Sequence, residues 1–144
     1  MSAPVSPPRG RRPAPALLAL ALLALVALAA CAPADRPPAR YEQTVDGLTI
    51  GIEATESPRL NASERLLVTL TDAGGRPVDG ADVYVDLDMP AMPMGTNRPI
   101  AEPQGQGRYL ASTAYTMLGE WELTVVAEVD DREHRAVFEI TAVE

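Results

Sequence analysis

The sequence predicts an all-β protein: a single immunoglobulin-like antiparallel β-sandwich of about seven strands, preceded by a signal peptide and a disordered tether. Three observations predict this fold. Apolar and polar residues alternate with a period of two along most of the chain after residue 47. Turn sequences rich in Gly and Asp separate the alternating segments. No segment after residue 30 carries an apolar stripe of helical period, so strands joined by short turns are the expected architecture.

The first 30 residues predict a lipoprotein signal peptide. Three arginines precede residues 17–30, an apolar Ala/Leu/Val run that is short for a permanent membrane span. The run ends in Leu28-Ala29-Ala30-Cys31, which matches the lipobox cleaved by lipoprotein signal peptidase. We expect a mature protein that begins at a lipidated Cys31 and is anchored on the extracytoplasmic side of a membrane of the cell envelope. The alternative is an ordinary cleaved signal followed by a free cysteine.

Composition divides the remaining chain into two parts. Residues 31–40 are rich in Pro, small residues and charge, which predicts a disordered tether. Residues 41–144 are expected to form the folded domain.

The mature chain is strongly acidic. Its signal peptide contains three of the twelve arginines and no acid, so nine arginines remain against twenty acids, a net charge of −11. Such a surface repels phosphate backbones and argues against nucleic-acid binding.

The chain contains no lysine, which excludes Schiff-base chemistry, and a lipidated Cys31 leaves no thiol for a disulfide. We expect no enzymatic activity, because the single histidine, His134, has no nucleophile near it in the strand pattern.

Alternation places the strands in order along the domain. The segments that alternate are 48–52, 66–70, 83–87, 109–115, 121–129 and 136–140. The last two can be tested internally, because a two-residue turn at Asp130 and Asp131 would set Ala127 opposite His134 and Trp121 opposite Ile140. Inward-facing residues of one strand then lie opposite inward-facing residues of the other, which supports this register. We expect Trp121 to be the central aromatic residue of the core. A ligand-stacking role for Trp121 is the alternative.

The methionines are the strongest chemical signal. Of the four that follow the initiator, Met89, Met92 and Met94 fall within six positions, in a proline-spaced segment, and the fourth is Met117. Thioethers are soft, neutral ligands that suit Cu(I) and lose no proton at any pH. The alternatives are apolar packing at the end of the sandwich, since Met is an adaptable filler, and an apolar contact with another protein.

Topology predicts that these methionines converge. In an immunoglobulin-like sandwich the strand before Met89 pairs antiparallel with the strand that carries Trp121, which brings Met89 to Met94 close to Met117. The same pairing places His134 at the opposite end, as a partly exposed hairpin residue.

Three carboxylates, those of Asp82, Asp86 and Asp88, share one face of the strand at 83–87. They are either solvated or part of a calcium or acid–base site.

The chain resembles the YtkA-like domain, an exported β-sandwich of bacterial lipoproteins related to FixH-type proteins of copper oxidase assembly. The resemblance covers residues 48–142 and depends on four stretches: 77–83 (PVDGADV), 89–94 (MPAMPM), 107–109 (GRY) and 117–121 (MLGEW). It implies the sandwich fold and a link to copper handling. Many members carry a histidine just after the Met cluster, where this chain has Gly95, Thr96 and Asn97.

Two functions follow as expectations. The first is a membrane-anchored Cu(I) carrier or accessory protein that passes metal to a copper oxidase or a copper exporter, with Met89, Met92, Met94 and Met117 as ligands. The second is a metal-free immunoglobulin-like adaptor in the assembly of an envelope or respiratory complex.

Overall fold

Eight antiparallel strands form the domain in the computed structural model, which describes residues 38–92 and 97–144. They are β1 (Ala39–Val45), β2 (Leu48–Ala54), β3 (Ser63–Thr71), β4 (Asp82–Asp88), β5 (Ile100–Gly105), β6 (Arg108–Ala114), β7 (Gly119–Val129) and β8 (Arg132–Ala142). The signal peptide and residues 31–37 of the predicted tether, Cys31 among them, lie outside the described residues. Within those residues, no helix is long and apolar enough to cross a membrane.

The strands are hydrogen-bonded in the order β1-β2-β3-β6-β5-β4-β7-β8. The sheet folds into two layers at β5, because the first residues of β5 pair with one neighbouring strand and the later residues pair with another. Ile100 and Ala101 pair with β4, whereas Glu102 and the residues after it pair with β6. One layer therefore contains β1, β2, β3 and β6, and the other contains β4, β7 and β8.

The core lies between the layers and is built by the alternation that predicted the strands. Inward positions of both layers are buried, among them Ile50, Val68, Val85, Leu123 and Val125, each with no exposed surface. Trp121 is buried, as predicted, and its ring meets that of Tyr115 edge-on at 5.5 Å between centroids. The all-β antiparallel sandwich predicted from sequence is confirmed.

The predicted final hairpin is confirmed residue by residue. Ala127 pairs with His134 and Trp121 with Ile140, around a turn formed by Asp130 and Asp131. Both turn residues have positive φ, at 49° and 60°, which is the backbone conformation of the two-residue turn that matches strand twist.

Two strands were not predicted by alternation. The first, β1, begins at Ala39, two residues before the expected domain start at Tyr41. The second, β5, has a single buried position, Ala101, so its sequence carries no alternating signal. The sandwich therefore has eight strands where about seven were expected.

Candidate metal site

The pairing of β4 with β7 brings the residues after β4 to the start of β7. Leu87 pairs with Leu123 and Asp88 with Glu122. Met89 follows directly and lies in the core with 8% of its surface exposed. Its terminal methyl, Cε, is 3.0 Å from the point where a Cβ on Gly119 would lie. Met89 therefore packs against the turn that carries Met117, two residues before Gly119.

Met92 differs from Met89 in its environment although the two are three residues apart. The Met92 backbone N–H donates to the Met89 carbonyl at 2.9 Å, which closes a turn after β4. The Met92 side chain is 56% exposed. Farther along, the Leu87 N–H donates to the Asn97 carbonyl at 3.0 Å. Met94 lies outside the described residues.

The backbone of Met117 is held by a hydrogen bond from Trp121. The Trp121 indole Nε1–H donates to the Met117 carbonyl at 3.0 Å, and the Met117 side chain is partly buried against the core. Trp121 is itself fixed by packing on Tyr115. This hydrogen bond satisfies the one polar group of a buried Trp and ties the β6–β7 turn to the core. Met89, Met92 and Met117 thus occupy one end of the sandwich.

His134 lies on β8 opposite Ala127, six residues along β7 from Trp121. That separation is roughly 20 Å of strand, so the prediction that His134 lies at the other end of the sandwich is confirmed. The prediction that it is partly exposed is wrong, because His134 is buried and its Nδ1 has no hydrogen-bond partner. The inward phase of β8 places it on the core face with Ala136 and Phe138.

The three carboxylates on the outer face of β4 have separate environments. Asp86 accepts a hydrogen bond from Arg98 Nε at 3.0 Å, and the Arg98 guanidinium also lies 5.7 Å from the Tyr84 ring centroid. Asp82 and Asp88 are exposed. In the described part of the chain, no group of three or more His, Cys, Asp or Glu residues is arranged to hold a metal ion.

Sequence reasoning overlooked two residues of this end of the sandwich. Gly119 has a φ of +120°, and its lack of a Cβ leaves the space beside Met89 Cε. In the sequence, Gly119 stands out only within the stretch 117–121 that carries the family resemblance. Tyr115 was read only as a strand residue, yet its hydroxyl is buried without a partner, and burial, with a smaller effect of the Glu64 carboxylate, raises its pKa.

The fold and the methionine end define an all-β, two-layer domain with thioethers at one end. The chain belongs to the YtkA-like family, whose model matches residues 42–126. That range includes β2 to β6 and the described methionines. The resemblance inferred from the sequence is thereby confirmed.

Two solved structures are similar to the chain. The Lin-41 filamin domain is 14% identical, with a TM-score of 0.49, over 75% of this chain and 98% of that one. The PmoD soluble domain from Methylocystis sp. ATCC 49242 (Rockwell) is 10% identical, with a TM-score of 0.47, over 71% of this chain and 96% of that one. No curated protein matches the chain in sequence.

Proposed function

We propose that the chain is an exported lipoprotein that carries Cu(I) as cargo, with Met89, Met92, Met94 and Met117 as ligands. The observation that carries the proposal is the position of Met89, whose Cε lies 3.0 Å from the Cβ position of Gly119, two residues after Met117. This contact sets thioethers from two chain segments 28 residues apart at one end of the domain.

The chemistry of this donor set fits Cu(I). Neutral thioethers prefer a soft monovalent ion and do not compete with protons, so binding would be independent of pH. Met89 and Met117 would form the fixed part of the site, because both pack on the core. Met92, with its exposed side chain, would be the ligand that an incoming or departing ion meets first. A carrier must release its cargo to a copper oxidase or copper exporter, and an exposed ligand suits that transfer.

The test is an anaerobic competition titration against a chromogenic Cu(I) chelator. The full chain is used with Cys31→Ser, because a free thiol would itself bind Cu(I). The variant Met92→Leu/Met94→Leu removes two sulfurs and keeps apolar volume. A matched control, Ile100→Leu/Val137→Leu, alters two exposed apolar residues elsewhere.

The proposal expects one equivalent of Cu(I) bound by the parent and the control, and affinity about tenfold or more weaker in the methionine variant. Absence of competition by the parent, or equal binding by all three proteins, would refute it.

Membrane attachment is the second part of the proposal. Cys31 would carry the acyl chains that hold the domain on the extracytoplasmic side of a membrane, with two or three chains giving stable anchoring. Incorporation of labelled palmitate into the chain that retains Cys31, and its loss in Cys31→Ala, is the expected result. Equal labelling of both would exclude Cys31 as the site.

A metal-free adaptor is the second candidate function. It is favoured by the exposure of Met92 and of Leu118, which is 44% exposed, at the same end of the sandwich. An apolar contact with a partner protein would cover both side chains. The adaptor would give no Cu(I) competition in the same titration, and its partner binding would survive the change from Met to Leu.

A further inference from the structure

A groove crosses the outer face of the layer formed by β2, β3 and β6, beside β5. Its volume is about 550 Å³. Leu67 of β3 and Leu110 of β6 are register partners, and both are half-buried on the outer face. They give the groove an apolar floor on a face where polar residues are the norm.

Two arginines flank this leucine pair. Arg65 lies two residues before Leu67, and Arg108 lies two residues before Leu110. The strands are antiparallel, so the arginines lie at opposite ends of the pair, with Arg108 opposite Thr69. Measured along the strands, Arg65 and Arg108 are therefore offset by four residues, which corresponds to roughly 13 Å.

Neither arginine has an acidic partner among the described residues. Four other arginines there form ion pairs: Arg40 with Glu53, Arg76 with Asp72, Arg98 with Asp86 and Arg135 with Glu133. Glu53 is the one carboxylate that lines the groove, and its charge is offset by Arg40. Glu102 of β5 is the register partner of Leu110 but does not line the groove. The charged residues that line the groove, two arginines and one glutamate, therefore carry a net charge of +1 on a chain whose net charge is −8.

We propose that this groove binds an extended acidic segment of a partner protein, with two carboxylates four residues apart and an apolar residue between them. In an extended chain, residues i, i+2 and i+4 point to the same side. Such a segment sets one carboxylate at each guanidinium, where paired N–H donors bind both oxygens. Its central apolar side chain covers Leu67 and Leu110. Gln104, which also lines the groove, supplies an amide for the ligand backbone.

The spacing of charges selects the class of ligand. A small monocarboxylate would reach one arginine only, whereas five extended residues cover both. The proposal does not depend on copper, because none of the methionines lines this groove.

The test measures binding of a fluorescein-labelled peptide, Glu-Thr-Leu-Thr-Glu with blocked ends, to the full chain in detergent by fluorescence polarisation. A second peptide, Gln-Thr-Leu-Thr-Gln, keeps the shape and removes the charge. The groove variant is Arg65→Gln/Arg108→Gln. The matched control is Arg59→Gln/Arg132→Gln, which removes the same charge at two arginines outside the groove that also form no ion pair in the described chain. All four side chains are exposed, so both variants should keep the fold.

The expected result is saturable binding of the acidic peptide to the parent and the control. The affinity should be weaker by about tenfold or more in the groove variant and for the Gln peptide. Three results would each overturn the proposal: no binding by the parent at about 1 mM peptide, equal losses in both arginine variants, or equal binding of both peptides.

Discussion

The side-chain amide of Gln43 joins the first strand of the sandwich to the last through the backbone of Val137. Gln43 Nε2–H donates to the Val137 carbonyl, and the Val137 N–H donates to Gln43 Oε1 at 3.2 Å. Next to this bridge, Tyr41 and Phe138 pack with ring centroids 6.4 Å apart. One amide therefore satisfies the two backbone groups that a neighbouring strand would otherwise pair, and it closes the open edge between β1 and β8.

Replacement of Gln43 by Met is expected to loosen this edge. Met keeps the length of the side chain and removes both hydrogen bonds, each of which contributes about 0.5–1.5 kcal/mol. Because the bridge is exposed, we expect a loss of about 1 kcal/mol in the free energy of unfolding, measured by urea denaturation, and faster amide hydrogen exchange at Val137. Gln104→Met is the control, since the Gln104 amide bonds only to the Glu102 carbonyl two residues away. Unchanged exchange at Val137 in Gln43→Met would contradict the bridging role.

Gly119→Ala is expected to destabilise the methionine end of the sandwich. A φ of +120° disfavours any residue with a Cβ, and the new methyl group would meet Met89 Cε at 3.0 Å. Strain of this kind costs about 1–3 kcal/mol. Thermal or urea unfolding of Gly119→Ala, Met89→Ala and the double variant measures how much of the cost is the contact between the two residues.

The double variant should cost less than the sum of the single ones, because Met89→Ala removes the clashing methyl group. Gly80→Ala is the reference for a Cβ added at a positive φ without a steric contact, since Gly80 has a φ of +77° and open space around its Cβ position. Strict additivity of the Gly119 and Met89 changes would show that the two residues do not constrain each other.

Two buried tyrosines are expected to respond in opposite ways to loss of their hydroxyl groups. Tyr109 Oη donates to the Val78 carbonyl at 2.9 Å and accepts from the Ala81 N–H at 3.1 Å. Tyr115 Oη is buried and has no partner. Tyr109→Phe should therefore lower the free energy of unfolding by about 1–3 kcal/mol. Tyr115→Phe should leave it unchanged or raise it, because an unsatisfied buried hydroxyl is removed. Equal losses in urea unfolding would contradict this contrast.

Tyr115 also predicts a dependence of stability on alkaline pH. Burial raises its pKa in the folded state, and the Glu64 carboxylate adds to the shift. The folded state then holds the phenolic proton more tightly than the unfolded state, whose pKa is about 10. The contribution of Tyr115 to stability is full below about pH 10 and is lost as the pH rises toward the folded-state pKa. Unfolding measured from pH 8 to 11 should show a smaller alkaline loss in Tyr115→Phe than in the parent.

A row of like charges on the outer face of β4, β7 and β8 predicts a stabilising substitution. Glu122 lies opposite Asp88 on one side and opposite Glu139 on the other. Directly opposed like charges in a sheet are destabilising by a few tenths of a kcal/mol to about 1 kcal/mol. Glu122→Gln should raise the free energy of unfolding by this amount at low ionic strength and by less in salt. Glu120→Gln, opposite Thr141, is the control and should have no such salt-dependent gain.

The sequence by itself determined the fold class and six of the eight strands. Alternation with a period of two shows that one face of a strand is buried, and it can be recognised from the residues of that segment alone. It was sufficient for the β7–β8 hairpin, where the turn at Asp130 and Asp131 sets the register for eleven paired positions. The pairing of β4 with β7 followed from the fold class, and it placed Met89 and Met117 at the same end.

Only the tertiary structure decided the rest. Strand β5 forms because two neighbours pair with it, although its own sequence buries a single residue. The Gln43 bridge joins residues 94 positions apart, so no sequence pattern within one segment could predict it. The burial of Met89 and the exposure of Met92 have the same cause. An unbranched or amphipathic side chain fits either environment, so long-range packing alone selects its surroundings.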